Sequence, residues 1–329
     1  ITEVGGKGAN LGELGKAGIS VPNGFVVTSS AYRQFLSDNN FVPKIKNILS
    51  NLDVEKSDVL SQKAQVIQKL ILSGRFSDQL ANDIKSAYEK LVSTSSSKLV
   101  AIRSSATAED LPTASFAGQQ QTYLNVSGSD QVIASVLKAF ASLFEARAIY
   151  YRSINHFDHF QVALASPVQL MVQAEKSGIL FTVNPLTNND DELVIEAGLG
   201  LGESIVSGSV NPDQYLVDKA SLRVKEKHIA KQAWKMIYDS SSGRNVHTNL
   251  TETEQATQKI NEQEILQLSR LGIKIESYYH FPQDTEWAIQ NGKIFFVQSR
   301  PITTLKKSPT SQRETGLEPE NSPGAQEPL

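Results

Sequence analysis

Apolar and polar positions change rhythm several times along the chain. GFVVTSS (24–30) is a short apolar run ending in hydroxyls, which predicts a buried strand and then a helix start. From 31 to 95 the apolar positions, among them Val59, Ala64, Ile67, Leu70 and Ile71, keep helical spacing. KLVAIRSSA (98–106) and QTYLNV (121–126) read as strands, and 129–152 returns to a helical pattern through Val132, Val136, Ala139, Phe140, Leu143 and Phe144. Strand-like runs then dominate: GILFTV (178–183), ELVIEA (192–197), DQYLVD (213–218) and LRVKEKHIA (222–230). One last helix, about 252–278, precedes a closing hairpin, DTEWAIQNGKIFFVQSRP (284–301). This mixture predicts an α+β fold, sheets flanked by helices, with no repeat of fixed period.

Composition narrows the classes. The 329 residues suffice for one large domain or two to three smaller ones, and 40% apolar with 20% charged residues is ordinary for a globular protein. A net charge of −3 gives no footprint for nucleic acid or anionic membrane. No apolar run approaches the roughly 20 residues of a membrane span, and a cytoplasmic location is the expectation. The absence of cysteine excludes disulfides, thiol catalysis and thiolate metal sites. From Lys306 onward the chain is rich in Pro, Ser, Glu and Gly, so 306–329 reads as a disordered linker or tail. With no initial Met, the chain reads as a piece of something longer.

Several segments could carry chemistry. In VGGKGANLGEL (4–14), glycines at 5, 6 and 8 allow positive φ and close approach to a ligand, and Lys7 offers a point charge to a phosphate. The Walker A spacing is absent, and on pattern alone a flexible glycine turn with a surface lysine is the simpler reading. Arg103 closes an apolar strand and is followed by Ser104, Ser105 and Thr107, a donor set suited to an oxyanion; Gly118 and Thr122 bound a second small loop. A structural arginine paired to Glu109 or Asp110 fits the same pattern. EAGLGLGESIVSG (196–208) breaks the dinucleotide spacing at Glu203 and reads as a turn into a helix. His156 and His159, three apart, read as a partly buried or capping pair rather than as metal ligands.

The hairpin poses a register question. Asp284 and Glu286 share one strand face, with Thr285 and Trp287 on the other. A two-residue Asn-Gly turn would pair Gln290 with Lys293 and put Gln298 on Trp287's side. A three-residue loop, Gln290-Asn291-Gly292, shifts the register so that Asp284, Glu286, Gln298 and Arg300 project together, and we expect that loop. A carboxylate and an amide oxygen on adjacent strands suit Mg²⁺, although solvated acids on an edge hairpin fit equally.

GGKGANL, VAIRSSATAEDLPTASFAGQQQTYLNV, SGILFTVNP, GLGESIVSGSVNPDQY and DTEWAIQNGKIFFVQSRP together resemble the N-terminal ATP-binding domain of the phosphoenolpyruvate synthase and pyruvate phosphate dikinase group. The resemblance covers about residues 1–305 and is strongest to phosphoenolpyruvate synthases, with rifampicin phosphotransferases next. It implies an ATP-grasp fold with ATP between two lobes, 1–185 and 186–305. It implies that Lys7 and Arg103 contact the polyphosphate and that Gly118 and Thr122 belong to a phosphate-covering loop. Gln169, Met171 and Val172 would border the adenine, Met171 and Val172 with apolar walls and backbone bonds. Glu286 and Gln298 would hold Mg²⁺, with Arg300 on phosphate and Asp284 beside them. Two departures fall near the adenine strand: Leu170 replaces a basic or polar residue of many relatives, and Pro167 removes a ladder donor. The implied reaction moves the β-phosphoryl group of ATP to a histidine of a swivelling domain, which then phosphorylates pyruvate on a barrel domain. No histidine here has the family's T-S-H context, so this chain is expected to bind Mg·ATP but not to complete that reaction alone. Pyruvate, phosphate dikinase and a non-catalytic nucleotide-binding regulatory module remain alternatives.

Overall fold

The structure, a computed structural model, describes residues 1–107, 110–111, 114–115 and 121–303. Gly118, Glu109 and the segment expected to be a tail (306–329) lie outside the described residues. Helix α1 (Gly5–Lys16) and strand β1 (Gly24–Val27) lead into α2 (Ser29–Asp38), α3 (Phe41–Leu49), α4 (Ser57–Leu72) and α5 (Asp78–Ser93). Strands β2 (Val100–Arg103), β3 (Ser105–Ala106), β4 (Asp110–Leu111), β5 (Ala114–Ser115) and β6 (Thr122–Val126) precede α6 (Ser129–Ser142) and α7 (Ala146–Ile154). Then come β7 (Leu164–Leu170), β8 (Lys176–Phe181), β9 (Glu192–Leu199), the short α8 (Glu203–Val206), β10 (Asp213–Asp218) and β11 (Val224–His228). A separate hairpin, β12 (Trp234–Asp239) and β13 (Arg244–Asn249), is followed by α9 (Glu252–Ala256), α10 (Glu262–Tyr279), β14 (Gln283–Gln290) and β15 (Lys293–Pro301).

Two antiparallel sheets organise these elements, as the α+β reading expects. The first runs β1-β7-β2-β6, with β3 also on β7; the second runs β11-β10-β9-β8-β14-β15. Each has its own apolar core. On the first, Phe35, Phe76 and Phe140 pack ring against ring with centroids 5.1–5.8 Å apart, and Ile67 and Ile71 of α4 close over them. On the second, Leu180, Ile195, Tyr215, Trp287 and Phe296 meet Ile265, Leu268 and Ile275 of α10. Leu14 and Ile19, from the start of the chain, are buried in this second core. Among the described residues no helix is long and apolar enough to cross a membrane.

Two local expectations are corrected. The Gly-rich opening is not a loose turn but the helix α1, held from outside. Gly5 has φ +67° and lies so close to β3 that a Cβ there would come within 2.2 Å of the Ser105 hydroxyl. That hydroxyl accepts the Lys7 backbone N–H at 3.1 Å, satisfying a first-turn donor that has no helical partner. The single helix expected over 252–278 is two, each opened by its own capping box, Thr251 with Glu254 and Asn261 with Glu264. In the break sits Lys259, whose ammonium is buried against Asp213 (3.3 Å) and the carbonyls of Ala230, Gln255 and Thr257.

At the far end of the first core, the buried Arg152 guanidinium lies over the Phe144 ring and donates to the Leu143 carbonyl and to His159 Nδ1. The His159 lone pair is therefore committed to a cation, which disfavours metal ligation. Burial, helped by Arg152, pulls its pKa from 6.5 down to about 4. Between those values the unfolded chain binds a proton that the folded imidazole refuses, so stability falls as pH drops through that window. Thermal melts across it should show the fall in the parent and a flatter profile in His159→Asn, which keeps an acceptor; equal slopes would refute the assignment.

Candidate functional site

The register of the closing hairpin is set differently from expectation. Asn291 (φ 51°) and Gly292 (φ 72°) form a two-residue turn that pairs Gln290 with Lys293, not a three-residue loop. The ladder then runs to Trp287↔Phe296, skips one residue, and resumes at Glu286↔Gln298 and Asp284↔Arg300. Val297 is the extra residue of a β-bulge, and both Val297 and Gln298 line the same cavity. Asp284, Glu286, Gln298 and Arg300 thus share a face, brought there by the bulge rather than by the turn.

Arg103 reaches this face from the end of β2. Its Nη2 donates to Glu286 Oε2 at 2.8 Å and its Nη1 to the Val297 carbonyl at 2.7 Å, with Gln298 Oε1 at 3.5 Å. The two charged side chains are only 13% and 17% exposed. The guanidinium therefore bridges the two sheets, and its partner is Glu286, 183 residues away. Beside it, Arg300 Nη2 and Nε lie 2.8 and 2.9 Å from Asp284 Oδ2.

Asp284 shows opposing influences: burial raises its pKa above 3.8, against the lowering effect of Arg300, and burial is the larger. A raised folded pKa means that the folded state holds a proton the unfolded chain has lost, so this group erodes stability as pH rises through the window. Asp284→Asn should accordingly gain stability relative to the parent as pH climbs above 3.8 toward neutrality. Melting curves with a pH-independent difference would refute this.

Strand β7 supplies the next wall. Continuing the β2–β7 register would set Pro167 opposite Arg103; there the pairing pauses, resuming at Ser105↔Ala165. The missing proline N–H falls where Arg103 leaves the ladder. Gln169 is nearly buried, with Nε2 3.4 Å from the Pro22 carbonyl. Met171 donates its N–H to the Leu99 carbonyl, so it offers the cavity its side chain rather than that donor. Met171, Val172, Leu201 and Ala288 belong to one small apolar cluster that includes Met236 of β12.

These walls enclose a cavity of about 510 Å³, within the usual range for a small-molecule site. Lys7, Arg103, Thr122 and Gln169 line it from the first sheet and α1. Glu286, Gln298 and Arg300 line it from the second, and Leu170 to Val172 from the connection. Of the sequence-nominated residues only Gly118 lies outside the described part. Ser105, expected among the oxyanion donors, instead accepts the Lys7 N–H, and the unanticipated contributors are the Val297 carbonyl and Glu203 with Val206 on α8. The GLGES glycines after β9 were the available signal for α8. A chain of amides, Gln173 to Asn125 to Asn245, also ties the end of β6 to the β12–β13 hairpin.

The donor set fits a hard cation. Glu286 and Gln298 are directly opposed across adjacent strands and supply a carboxylate and an amide oxygen. Mg²⁺ is commonly held by one or two such ligands plus phosphates and water. Among the described residues there is no group of three or more His, Asp or Glu that could hold a metal ion.

Over residues 1–321 the chain matches the family described as pyruvate phosphate dikinase, AMP/ATP-binding domain. It is 49% identical over 305 residues to a probable phosphoenolpyruvate synthase of Methanocaldococcus jannaschii, covering 92% of this chain and 26% of that protein. It is 43% identical over 357 residues to the phosphoenolpyruvate synthase of Pyrococcus furiosus, covering 96% of this chain and 44% of that protein. A rifampicin phosphotransferase of Bacillus cereus is 43% identical over 307 residues, covering 93% of this chain and 35% of that protein. The chain thus spans under half the length of these relatives.

Proposed function

The chain belongs to the pyruvate phosphate dikinase AMP/ATP-binding family, and on that premise we propose that its cavity binds Mg·ATP in an ATP-grasp arrangement. The β-phosphoryl group is donated to a histidine of a separate swivelling domain. The observation that carries this reading is that Lys7, Arg103 and Arg300, with Glu286 and Gln298, line the same cavity as the apolar Met171 and Val172. The cations suit a polyphosphate, and the apolar side chains suit a purine ring. Lys7, Arg103 and Arg300 bind and orient the phosphates, with Thr122 beside them. Gln169 and Val172 position the base. When bound through Glu286 and Gln298, Mg²⁺ supplies charge neutralisation of the phosphoryl oxygens. Catalysis at such a site is mainly positioning and electrostatic stabilisation.

The final acceptor is pyruvate in this reading, by kinship to the proteins named phosphoenolpyruvate synthase at 49% and 43% identity. The pyruvate-binding barrel is the second partner domain, and the setting is cytoplasmic. The test combines calorimetric titration with Mg·ATP and transfer from ATP labelled at the β-phosphorus to a separately produced histidine domain. Saturable binding and label on that domain's histidine are expected. No binding of Mg·ATP would overturn the reading of the cavity, and label from the γ-phosphorus instead would overturn the assignment of the transferred group.

A further inference from the structure

The groups nominated for nucleotide and for metal hold each other. Arg103 Nη2, nominated for phosphate, is 2.8 Å from Glu286, nominated for the cation, and Nη1 is 3.5 Å from Gln298 Oε1. On the same face Arg300 is paired with Asp284. Two acids and two guanidiniums sum to no net charge, so this face offers a polyphosphate little attraction as it stands. A metal-free polyanion would also have to compete with the Glu286 carboxylate for Nη2 and would be repelled by it. The pair is poorly exposed, at 13% and 17%, so water screens that competition only weakly.

We propose that the site works by partner exchange: a divalent cation takes Glu286, which releases Arg103 Nη2 to the polyphosphate. This inference rests on the reading of the cavity as an Mg·ATP site and adds the coupling within it. The Val297 carbonyl is the fixed point of the exchange. It holds Nη1 at 2.7 Å and is part of the backbone, so the guanidinium can change its Nη2 partner without leaving its place. Cation and polyphosphate then bind with positive cooperativity beyond the formation of their complex in solution. Each removes the other's competitor, and the coupling is reciprocal. AMP, which lacks the β- and γ-phosphates, gains nothing from the cation at this position.

The experiment measures ATP affinity of the 329-residue chain in chelator and in Mg²⁺, for the parent, Glu286→Gln and Glu196→Gln. Glu196 lies two strands from Glu286 in the same sheet, outside the cavity lining and bonded to Gln214 rather than Arg103, so its variant reports the general effect of removing one negative charge. Glu286→Gln is near-isosteric, and a melt establishes that it folds. Releasing a charge-assisted hydrogen bond is expected to tighten metal-free ATP binding by about tenfold in Glu286→Gln. A change under about twofold is expected in Glu196→Gln. AMP binding should be unchanged in both variants. A Glu286→Gln affinity equal to or weaker than the parent's, or an equal gain in Glu196→Gln, would overturn the exchange while leaving the site reading intact. Failure of the parent to bind Mg·ATP would instead remove the reading itself, and the exchange with it. As a second readout, Mg²⁺ alone should shift the Arg103 Nε–H resonance in the parent and not in Glu286→Gln. No shift in the parent would likewise overturn the exchange.

Discussion

Replacing Arg103 with alanine should weaken Mg·ATP binding by roughly 30- to 300-fold, the lower part of the range for deleting one partner of a desolvated charge pair. The position explains the size. Arg103 stands at the end of β2, is 13% exposed, and is the side chain that joins the first sheet to the Glu286–Gln298 face of the second. Its removal also strips Glu286 of its cation in the unliganded protein, which should lower stability by about 1–3 kcal/mol. Arg103→Lys should recover part of the affinity, since a lysine supplies the charge but cannot hold Glu286 and the Val297 carbonyl from two nitrogens at once. Calorimetry on the three proteins checks this; an alanine variant within about threefold of the parent would remove Arg103 from the binding machinery.

The second large effect lies away from the cavity. Lys259→Ala should destabilise the protein by about 3–5 kcal/mol, because it leaves Asp213 charged and buried without its cation. Asp213 is fully buried and accepts from the Ala230 and Lys259 backbone N–H groups and the Tyr215 hydroxyl. Those remaining donors place the expectation at the lower end of the range. Neutralising both partners should not restore stability as it does for isolated buried pairs, since removing the carboxylate orphans the two backbone donors. Chemical denaturation of Lys259→Ala and of the double variant Lys259→Met/Asp213→Leu tests both statements. A double variant as stable as the parent would show the network to be replaceable by apolar packing.

The parts of this molecule that could be read from its sequence are those where local pattern and final structure agree. The periodic runs in 31–95 and 129–152 became helices, and the strand-like runs GILFTV, ELVIEA and DQYLVD joined a single sheet. Helix α1 could not be read, because four glycines in GGKGANLGEL argue against a helix and the contacts that support it come from Ser105 and the second core. The break at Lys259 lacks Gly and Pro and follows from an ion pair 46 residues distant. The β12–β13 hairpin has no legible signature, because β12 is half-buried on both faces and shows no alternation.

The hairpin divides the same way. Asn291-Gly292 is a local signal and made the local turn it announces, whereas the bulge at Val297 left no mark in the run Phe295-Phe296-Val297, apolar throughout. The shared face of Glu286 and Gln298 was anticipated for chemical reasons, and its mechanical cause was misassigned. No reading of 98–106 could have found that Arg103 is held by Glu286, since the pairing depends on how the two sheets meet.

The burial of Leu14 and Ile19 among Leu180, Trp287 and Phe296 bears on how the chain is made. During synthesis α1 emerges before these partners: Leu180 lies about 165 residues later and Phe296 about 280, which at about 5–20 residues per second is a wait of roughly 15–55 s for the last of them. The first core, closed by the helices of 29–154 and completed by β7, can assemble while α1 has met Ser105 but is still without its partners in the second core. Glycine-rich and intrinsically a poor helix former, α1 presents little apolar surface to a chaperone or a neighbouring nascent chain during that interval. The same weak propensity that hides this helix in the sequence suits it to a segment that waits for its second-core partners and docks after they are made.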